Sequence, residues 1–391
     1  MVGVGRFTSP DVMVSQVRRG VLDLIGAARP SIADPFLPRK IRDGRADEIR
    51  ECIGCNICRA ANNEGVPLRC TQNPTIGEEW RRDWHPERIS PRRSDRRVLV
   101  VGAGPAGLEC ALTLGRRGYE VALTEAAREL GGRLRVEAAL PGLGTWIRVR
   151  DYRAHMLSKL RSVSIYPESR ISAEDILELG YPDVVIATGS RWRRDGVGAM
   201  GEEPTALDGA APLTPDDVFA GAVLAPSVVI YDDEHYALGG ALAERLAGEG
   251  KQVTLVTPAP VVSSWTQMTD EQHFIQARLL GLGVKFVLSR RLVAARTGEI
   301  ETACVYTGAR ETMGADSLVL VTGRVADATL YDELSGAAER LEAAGIRSLT
   351  RIGDCLAPSS IADAVFAGHR YARAFDEPPG DAAPRRERPP A

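Results

Sequence analysis

The sequence lacks the features that mark a membrane-spanning or nucleic-acid-binding protein. No apolar stretch reaches the roughly 18–20 consecutive residues that a membrane-spanning helix needs. The first ten residues lack the basic region and apolar core of a secretory leader. The 391-residue chain has a formal net charge of −3 with its acidic and basic residues interspersed, so no basic patch marks a polyanion-binding surface. We therefore expect a cytoplasmic protein that binds neither membranes nor nucleic acids.

The chain also lacks evenly paired cysteines. It has seven cysteines, an odd number, and their distribution does not fit a disulfide framework. Four of them lie within nineteen positions, namely Cys52, Cys55, Cys58 and Cys70. The other three stand alone and are interpreted as small buried hydrophobic residues: Cys110, Cys304 and Cys355.

The clustered cysteines have the spacing of an iron–sulfur site. Two residues separate Cys52 from Cys55 and Cys55 from Cys58, which places three thiolates on one tight loop, and Cys70 follows on a separate turn. This is a [4Fe–4S] pattern, and Gly54 gives the loop the freedom to curl round a cluster. Structural zinc and reactive thiols are the alternatives. Zinc sites usually present two separated Cys-x2-Cys pairs, and the sequence has no matching second pair.

A glycine-rich turn between a predicted strand and a predicted helix indicates a dinucleotide site. The strand covers residues 97–101 and the helix residues 108–117. The turn would bring backbone N–H groups and a helix N-terminus to a pyrophosphate, and an acidic residue after the next strand would hold the ribose hydroxyls. The residues predicted to surround the nucleotide are Gly102, Gly104, Ala106, Gly107 and Glu125.

A second strand–turn–helix unit begins at residue 227 but departs from this fingerprint. Its turn reads Asp232-Asp233-Glu234, where a pyrophosphate requires glycines. Carboxylates at this position would repel a dinucleotide. We therefore interpret the second unit as a degenerate NAD(P)-binding site.

The order of predicted elements gives an α/β fold with two doubly wound Rossmann units. Residues 1–45 form a β/α fragment whose two short parallel strands cannot close a core alone. Residues 46–94 are the cysteine segment. A discontinuous dinucleotide-binding domain covers 95–210 and 325–376, and the degenerate unit is inserted at 211–324. The tail 377–391 is rich in Pro, Asp and Arg and is expected to be disordered.

Eight parts of the sequence carry a family resemblance: Gly26–Pro38, Cys52–Asn56, Cys70–Glu78, Trp84–Glu87, Gly102–Gly107, Ala139–Gly144, Asp354 and Ile361–Arg370. Together they span nearly the whole chain and resemble the trimethylamine dehydrogenase family, with its dimethylamine and histamine dehydrogenases and 2,4-dienoyl-CoA reductases. That family joins an FMN-bearing TIM barrel to a [4Fe–4S] segment and a disulfide-reductase-like pair of domains, which holds FAD or ADP.

The resemblance implies roles for further residues. Residues 1–45 would be the last two strands of the TIM barrel, with an FMN-phosphate remnant at Gly5, Arg6 and Arg29. Residues beyond the glycine-rich turn would close over the FAD or ADP, namely Arg133, Thr188, Gly189, Gly353 and Asp354. We expect FAD rather than ADP, because the segment Gly353-Asp354 leaves room for a ribityl chain.

The sequence departs from the family because the rest of the barrel, with its FMN-anchoring cysteine and amine-binding residues, is missing. The resemblance therefore implies an electron relay, in which electrons pass from an FMN on a separate barrel through the cluster to an electron-transferring flavoprotein. We expect a homo- or hetero-oligomer. The alternatives are an NAD(P)H-dependent dienoyl-CoA or enoate reductase module and a non-catalytic scaffold. No residue stands out as catalytic, and the substrate is not indicated.

Overall fold

The computed structural model describes residues 1–81, 84 and 87–377. His85 and Pro86 of the family motif lie outside the described residues, as do residues 378–391 of the predicted tail. Within the described part of the chain, no helix is long and apolar enough to cross a bilayer.

The elements alternate between strands and helices along most of the chain. The strands are β1 (Val2–Val4), β2 (Leu24–Gly26), β3 (Arg97–Val101), β4 (Glu120–Thr124), β5 (Val163–Tyr166), β6 (Asp183–Ile186), β7 (Ser190–Trp192), β8 (Ala206–Asp208), β9 (Ser227–Asp232), β10 (Gln252–Val256), β11 (Lys285–Val287), β12 (Arg290–Arg296), β13 (Gly298–Cys304), β14 (Arg310–Ala315), β15 (Ser317–Val321), β16 (Arg324–Ala326) and β17 (Ser348–Arg351). The helices are α1 (Pro10–Arg18), α2 (Ala28–Ala33), α3 (Leu37–Arg42), α4 (Ile57–Asn63), α5 (Pro105–Arg117), α6 (Leu134–Glu137), α7 (Arg148–Ser158), α8 (Ala173–Leu179), α9 (Pro215–Phe219), α10 (Ala237–Gly248), α11 (Gln272–Gly281), α12 (Thr329–Ser335), α13 (Ala338–Ala343) and α14 (Ile361–Ala374).

The first two strands form a parallel pair of their own. Val2 of β1 lies opposite Leu24 of β2, and α1 connects the two strands. Each strand has three residues, whereas the sequence predicts longer strands over 2–7 and 21–27. Their apolar side chains stay exposed, with 58% of Val2, 76% of Val4 and 63% of Leu24 accessible to solvent. Parallel strands are normally covered on both faces, so this pair lacks a covering layer among the described residues.

The first Rossmann unit is a five-stranded parallel sheet in the order β17-β6-β3-β4-β5. The central strands are continuous apolar runs because helices cover both faces of a sheet of this kind. Helix α5 packs beneath the sheet and α14 lies across α5. The two helices approach closely at Gly368, where a Cβ would overlap the carbonyl oxygen of Ala106.

The second unit is a four-stranded parallel sheet in the order β11-β10-β9-β15, with helix α10 after β9. A second four-stranded sheet in the order β14-β13-β12-β8 packs beside it. The chain enters through β7 and leaves through β16, and these two strands pair antiparallel with Arg324 opposite Trp192. Both crossings between the units therefore run side by side.

Buried charges tie the cysteine segment to the first unit. Arg153 is fully buried, and its Nε donates to Oε2 of Glu109 at 2.8 Å. Its two Nη groups donate to the side-chain and backbone oxygens of Gln72 at 3.0 and 3.1 Å. Nδ1 of His369 lies 2.9 Å from the other carboxylate oxygen of Glu109. Gln72 in turn donates to the carbonyl of Glu51 at 3.1 Å. Gln72 therefore joins the two ends of the cysteine segment to each other, and Arg153 and Glu109 connect it to helix α5.

Candidate nucleotide site and cysteine cavity

A cavity of about 540 Å³ opens at the carboxyl ends of β3, β4 and β6. Ligands of open α/β sheets bind at this edge of the sheet. The predicted residues that line it are Gly102, Gly104, Ala106, Glu125, Arg133, Thr188, Gly189 and Asp354. Gly107 and Gly353 shape the cavity from behind its wall.

The glycine-rich turn has the backbone geometry that a pyrophosphate loop needs. Gly102 has φ +102°, and a Cβ there would lie 2.5 Å from the carbonyl oxygen of Ala187. A Cβ at Gly107 would overlap the carbonyl oxygen of Gly102, whereas one at Gly104 would meet no atom within 4 Å. Helix α5 begins at Pro105, whose missing N–H costs nothing in a first turn. The helix N-terminus thus faces the cavity with unpaired N–H groups.

Glu125 directly follows β4 at the edge of the cavity. Its carboxylate accepts hydrogen bonds from the backbone N–H groups of Ala103 and Ala127, both at 2.9 Å. Each oxygen keeps one lone pair for a further donor such as a ribose hydroxyl. Glu125 therefore braces the glycine-rich turn as well as lining the cavity.

Asp354 lies past the glycine-rich turn and is already hydrogen-bonded within the chain. Its Oδ2 accepts from Arg324 at 2.6 Å and from the Ser190 hydroxyl at 2.9 Å. Its Oδ1 accepts from the Ser359 N–H at 3.1 Å. Behind it, Gly353 has φ +61° and a Cβ there would lie 2.6 Å from that of Ala106. Asp354 lines the cavity, and its Oδ1 keeps one lone pair for a further donor.

The other predicted residues of this site hold the walls together. Arg133 donates to Asp216 at 2.8 Å and also to the Ser190 carbonyl. The Thr188 hydroxyl donates to the carbonyl of Asp327 at 2.6 Å. Gly189 has φ +87° and no atom within 4 Å of a Cβ, so it leaves the cavity open.

The four clustered cysteines line one small cavity, together with Arg29, Ile53, Asn56 and Gln72. Burial raises the pKa of the Cys55 thiol to about 12 and that of Cys70 to about 11, and the neighbouring cysteines add to both shifts. Backbone N–H groups of Gln72 and Asn73 act in the opposite direction by donating to the Cys70 sulfur. N–H groups directed at a sulfur stabilise thiolate ligands of a cluster.

Two features of the cysteine cavity bear on which group fits it. The described residues contain no group of three or more His, Cys, Asp or Glu side chains arranged to hold a metal ion. The four thiols nevertheless converge from two chain segments on one shared, largely buried space. In a cubane each thiolate binds a different iron atom, so its four ligands surround a volume and need not converge on one point.

Arg6 and Arg29, which the resemblance assigns to an FMN phosphate, lie against the cysteine loop. Nη1 of Arg6 is 3.4 Å from the carbonyl oxygen of Cys52, and Nη1 of Arg29 donates to the Asn56 side chain at 2.6 Å. Asn56 donates onward to the carbonyl of Thr269 in the second unit at 3.1 Å. Gly5 precedes Arg6 at the end of β1. Their roles at an FMN stay predictions.

The acidic turn of the second unit folds inward. Asp232 and Asp233 are fully buried. Oδ1 of Asp232 accepts from the N–H groups of Glu234 and His235 at 3.2 and 3.1 Å. Asp233 accepts from two N–H groups, those of Met200 and Gly201, and pairs with His235 Nε2 at 2.9 Å. A side-chain carboxylate thus takes the backbone donors that a pyrophosphate would need.

A second cavity of about 280 Å³ adjoins the nucleotide cavity and was not predicted from the sequence. Both cavities share Glu137, Arg324 and residues 359–361. Three of the five tryptophans of the chain line the second cavity with a tyrosine: Trp146, Trp192, Trp265 and Tyr236. A smaller space beside it is lined by Trp146, Tyr236 and Cys55, so the aromatic wall separates this cavity from the cysteines. The tryptophans are far apart in sequence, and no spacing pattern signals their convergence.

Two family descriptions match the chain. The pyridine nucleotide-disulphide oxidoreductase description matches residues 96–347, and the NADH:flavin oxidoreductase / NADH oxidase description matches residues 1–48. The two matched ranges flank the cysteine segment, which neither description covers beyond residue 48.

Individual relatives match over nearly the whole chain. Dimethylamine dehydrogenase of Hyphomicrobium sp. (strain x) is 41% identical over 100% of this chain and 56% of the relative. Histamine dehydrogenase from Rhizobium sp. 4-9 superposes with a TM-score of 0.94 at 51% identity, covering 98% of this chain and 59% of that one. 6-Hydroxypseudooxynicotine amine oxidase from Pseudomonas geniculata N1 gives a TM-score of 0.90 at 43% identity, covering 96% and 56%. The chain spans a little over half the length of these relatives.

Proposed function

The chain belongs to the pyridine nucleotide-disulphide oxidoreductase family, and from this premise we propose that it is the electron-relay half of an amine-dehydrogenase-type flavoprotein. Its resemblance to the trimethylamine dehydrogenase family is confirmed by its similarity to dimethylamine and histamine dehydrogenases. The cysteine cavity, with four thiols around one space, is the observation that carries the proposal.

The cysteine residues would hold a [4Fe–4S] cluster, which accepts and passes on electrons one at a time when it is bound. Cys52, Cys55 and Cys58 would approach it from one loop and Cys70 from the other. Gln72 and Arg153 keep these two loops in register through their hydrogen bonds. The cysteine cavity also contacts Arg29 from the N-terminal fragment, which supports electron entry from an FMN on that side. The electron-transferring flavoprotein is the acceptor that this proposal requires.

The nucleotide cavity would hold the ADP moiety that FAD and free ADP share. Gly104 and the start of α5 would face the pyrophosphate, and Glu125 the ribose. FAD stays the expected ligand, because Oδ1 of Asp354 accepts a hydrogen bond only from the Ser359 N–H and keeps a lone pair for a ribityl hydroxyl, whereas the resemblance to the amine dehydrogenases points to ADP. Heat extraction followed by absorption spectroscopy distinguishes them, since FAD is yellow and ADP is colourless.

The reductase alternative requires a working NAD(P)H site in the second unit. The N–H groups of Glu234 and His235 already donate to Asp232, which argues against it. NADPH oxidation by the purified chain with an artificial acceptor would favour the reductase instead. A cluster that neither reduces nor reoxidises would favour the scaffold.

Electron transfer to an electron-transferring flavoprotein tests the relay. The chain is reduced with dithionite without oxygen, excess reductant is removed, and reduction of the flavoprotein is followed at its flavin absorbance. We expect transfer by the parent chain and by the control Cys304→Ser, whose thiol lies outside the cysteine cavity, but not by Cys55→Ser. Transfer that persists in Cys55→Ser contradicts the relay, provided that bound nucleotide is equal in all three proteins.

A further inference from the structure

A turn of the second unit holds the cysteine segment. It covers residues 263–271, between β10 and α11, and is here called the clasp turn. Three side chains of helix α4 and of the residue before it bond to this turn: Asn56 to the carbonyl of Thr269 at 3.1 Å, Arg59 to Asp270 at 2.5 Å and Asn63 to the carbonyl of Met268 at 2.9 Å. Helix α4 starts inside the cysteine loop, so the clasp turn holds this loop along one side.

Asn56 lies between two of the clustered cysteines in the sequence and lines the cysteine cavity with them. Its side-chain oxygen accepts from Arg29 of the N-terminal fragment at 2.6 Å, while its amide nitrogen donates to Thr269 of the second unit. A guanidinium only donates and a carbonyl only accepts, so these two partners fix the orientation of the amide. One side chain thus joins three parts of the chain at the position between Cys55 and Cys58.

The contact uses backbone conformations that residues other than glycine rarely adopt. Asn56 has φ +53°, Asp270 +59° and Ser263 +47°. His235 has φ +68°, and its carbonyl accepts from the N–H of Trp265 in the clasp turn at 2.9 Å. Half of the eight non-glycine residues with positive φ in the described chain therefore lie at this contact. Such conformations persist only where surrounding contacts determine them, and they concentrate at functional sites.

We propose that the second unit, whose nucleotide site is predicted to be degenerate, serves as a clasp that keeps the cysteine loop closed. Segments of a folded protein open locally with free energies that depend on their local contacts. Asn56 and Asn63 are positioning residues in this account, because loss of their bonds to the clasp turn makes the loop open more often. The consequence for a cluster rests on the proposed function, since a cluster leaves only when the loop that carries Cys55 and Cys58 opens.

Hydrogen exchange of the purified full chain tests the clasp independently of the cluster. Asn63→Ala should increase exchange several-fold in peptides from α4 and also in those from the clasp turn, because the lost bond frees both sides. Asn62→Ala is the matched control: it makes the same change one position earlier in the helix, and no bond from Asn62 to the clasp turn is found among the described residues. It should exchange like the parent. Asn63→Gln keeps an amide donor and should restore part of the protection.

Iron release tests the consequence for the cluster. Parent and variants are brought to equal iron content, and transfer of iron to a chelator is followed without oxygen. We expect release from Asn63→Ala to be roughly fivefold faster than from the parent, as loss of one hydrogen bond predicts. Asn56→Asp keeps the acceptor for Arg29 but turns a carboxylate oxygen towards the Thr269 carbonyl, so its release should be faster still. Bound nucleotide should be equal in all of these proteins.

Two results would overturn the clasp. One is equal exchange of the α4 peptides in Asn63→Ala and Asn62→Ala, and the other is equal iron release from these two variants. A parent chain that takes up no iron overturns the proposed function instead, and hydrogen exchange then decides the clasp alone.

Discussion

Arg153 is the largest fully buried side chain of the described structure. It donates hydrogen bonds to Glu109, Gln72 and the carbonyl of Val149. Burial favours the neutral guanidine and lowers its pKa, while Glu109 opposes that effect. Burial also disfavours ionised Glu109, but Arg153 and His369 outweigh it and lower the pKa of Glu109 to about 2. Each charge is therefore stable in the interior only while the other is present.

Replacing Arg153 by Met should lower the free energy of unfolding by about 3 kcal/mol, because the buried Glu109 carboxylate loses its guanidinium partner and keeps only His369 and Thr113. The loss should also loosen Gln72 and reduce retention of iron by the cysteines. Urea denaturation measures the first effect and iron content the second. Arg150→Met, in the same helix with its pairs at the surface, should cost less than about 1 kcal/mol. Equal losses in both variants would contradict the role given to Arg153.

Glu137 and Glu234 make the folded protein less stable as the pH rises. Glu109, whose pKa is lowered, has the opposite effect. Burial raises both pKa values to about 7, above the value of about 4.3 in an unfolded chain. Between these values the folded state binds more protons than the unfolded state. Their stabilising contribution is therefore present below about pH 4 and is lost as the pH rises through 7.

The double variant Glu137→Gln/Glu234→Gln should remain neutral at every pH and avoid this loss. We expect it to gain on the order of 5 kcal/mol over the parent between pH 5 and pH 8, about half from each glutamate, measured by urea denaturation at both values. Glu249→Gln serves as the control and should follow the parent. If the double variant is no more stable than the parent at pH 8, ionising the two buried glutamates costs no free energy of unfolding. That result would contradict the raised pKa values.

In the strand–turn–helix element from β3 to α5, one glycine is needed for folding and another for nucleotide binding. A methyl group at Gly107 would overlap the carbonyl of Gly102, whereas one at Gly104 meets nothing and lies at the cavity. Gly107→Ala should therefore destabilise the chain by about 1–3 kcal/mol, as measured by urea denaturation. Gly104→Ala should unfold like the parent but lose most of its extractable nucleotide. If Gly104→Ala retains a full complement of nucleotide, the pyrophosphate does not approach this turn.

Elements with strong local signals were predicted to the residue. The bounds of β3 agree with the predicted strand 97–101, and those of β10 and β15 follow the apolar runs 252–256 and 317–321, because a buried parallel strand is a continuous apolar run between polar ends. Helix α5 begins three residues earlier than predicted, at Pro105, since the turn itself supplies its first residues. Strands β1 and β2 were overestimated, as apolar sequence alone does not provide a pairing partner.

The acidic turn after β9 shows what a local pattern leaves out. Asp232 and Asp233 were expected to repel a ligand from the cavity wall, but both point inward onto backbone N–H groups. The degenerate site stays a prediction, and the geometry gives a different physical reason for it. Direction of a side chain depends on partners such as Gly201 that lie far away in sequence.

At the scale of the whole molecule, an aromatic wall lies between the cysteines and the second cavity, here called the aromatic cavity, which adjoins the nucleotide cavity. Trp146 and Tyr236 face both the aromatic cavity and the space beside Cys55. Sequence motifs identified the cysteines and the glycine-rich turn because local spacing determines both. The aromatic wall comes from elements of both Rossmann units, so only the folded chain brings it together.

The exposed β1–β2 pair gives the molecule an incomplete side. Val2, Val4 and Leu24 are more than half exposed, which is unusual for parallel strands. This surface supports the proposal that further barrel strands pack here. It also places Arg6 and Arg29 between that surface and the cysteine loop.

Iron and acid-labile sulfide, counted per chain after anaerobic purification and reconstitution, test the central proposal that the four cysteines hold a redox cluster. The account predicts four irons and four sulfides in the parent chain and in Cys304→Ser, with a paramagnetic signal on reduction by dithionite. Cys55→Ser should lose the intact cluster and keep its nucleotide. One zinc per chain without sulfide, or an iron content that Cys55→Ser leaves unchanged, would contradict it.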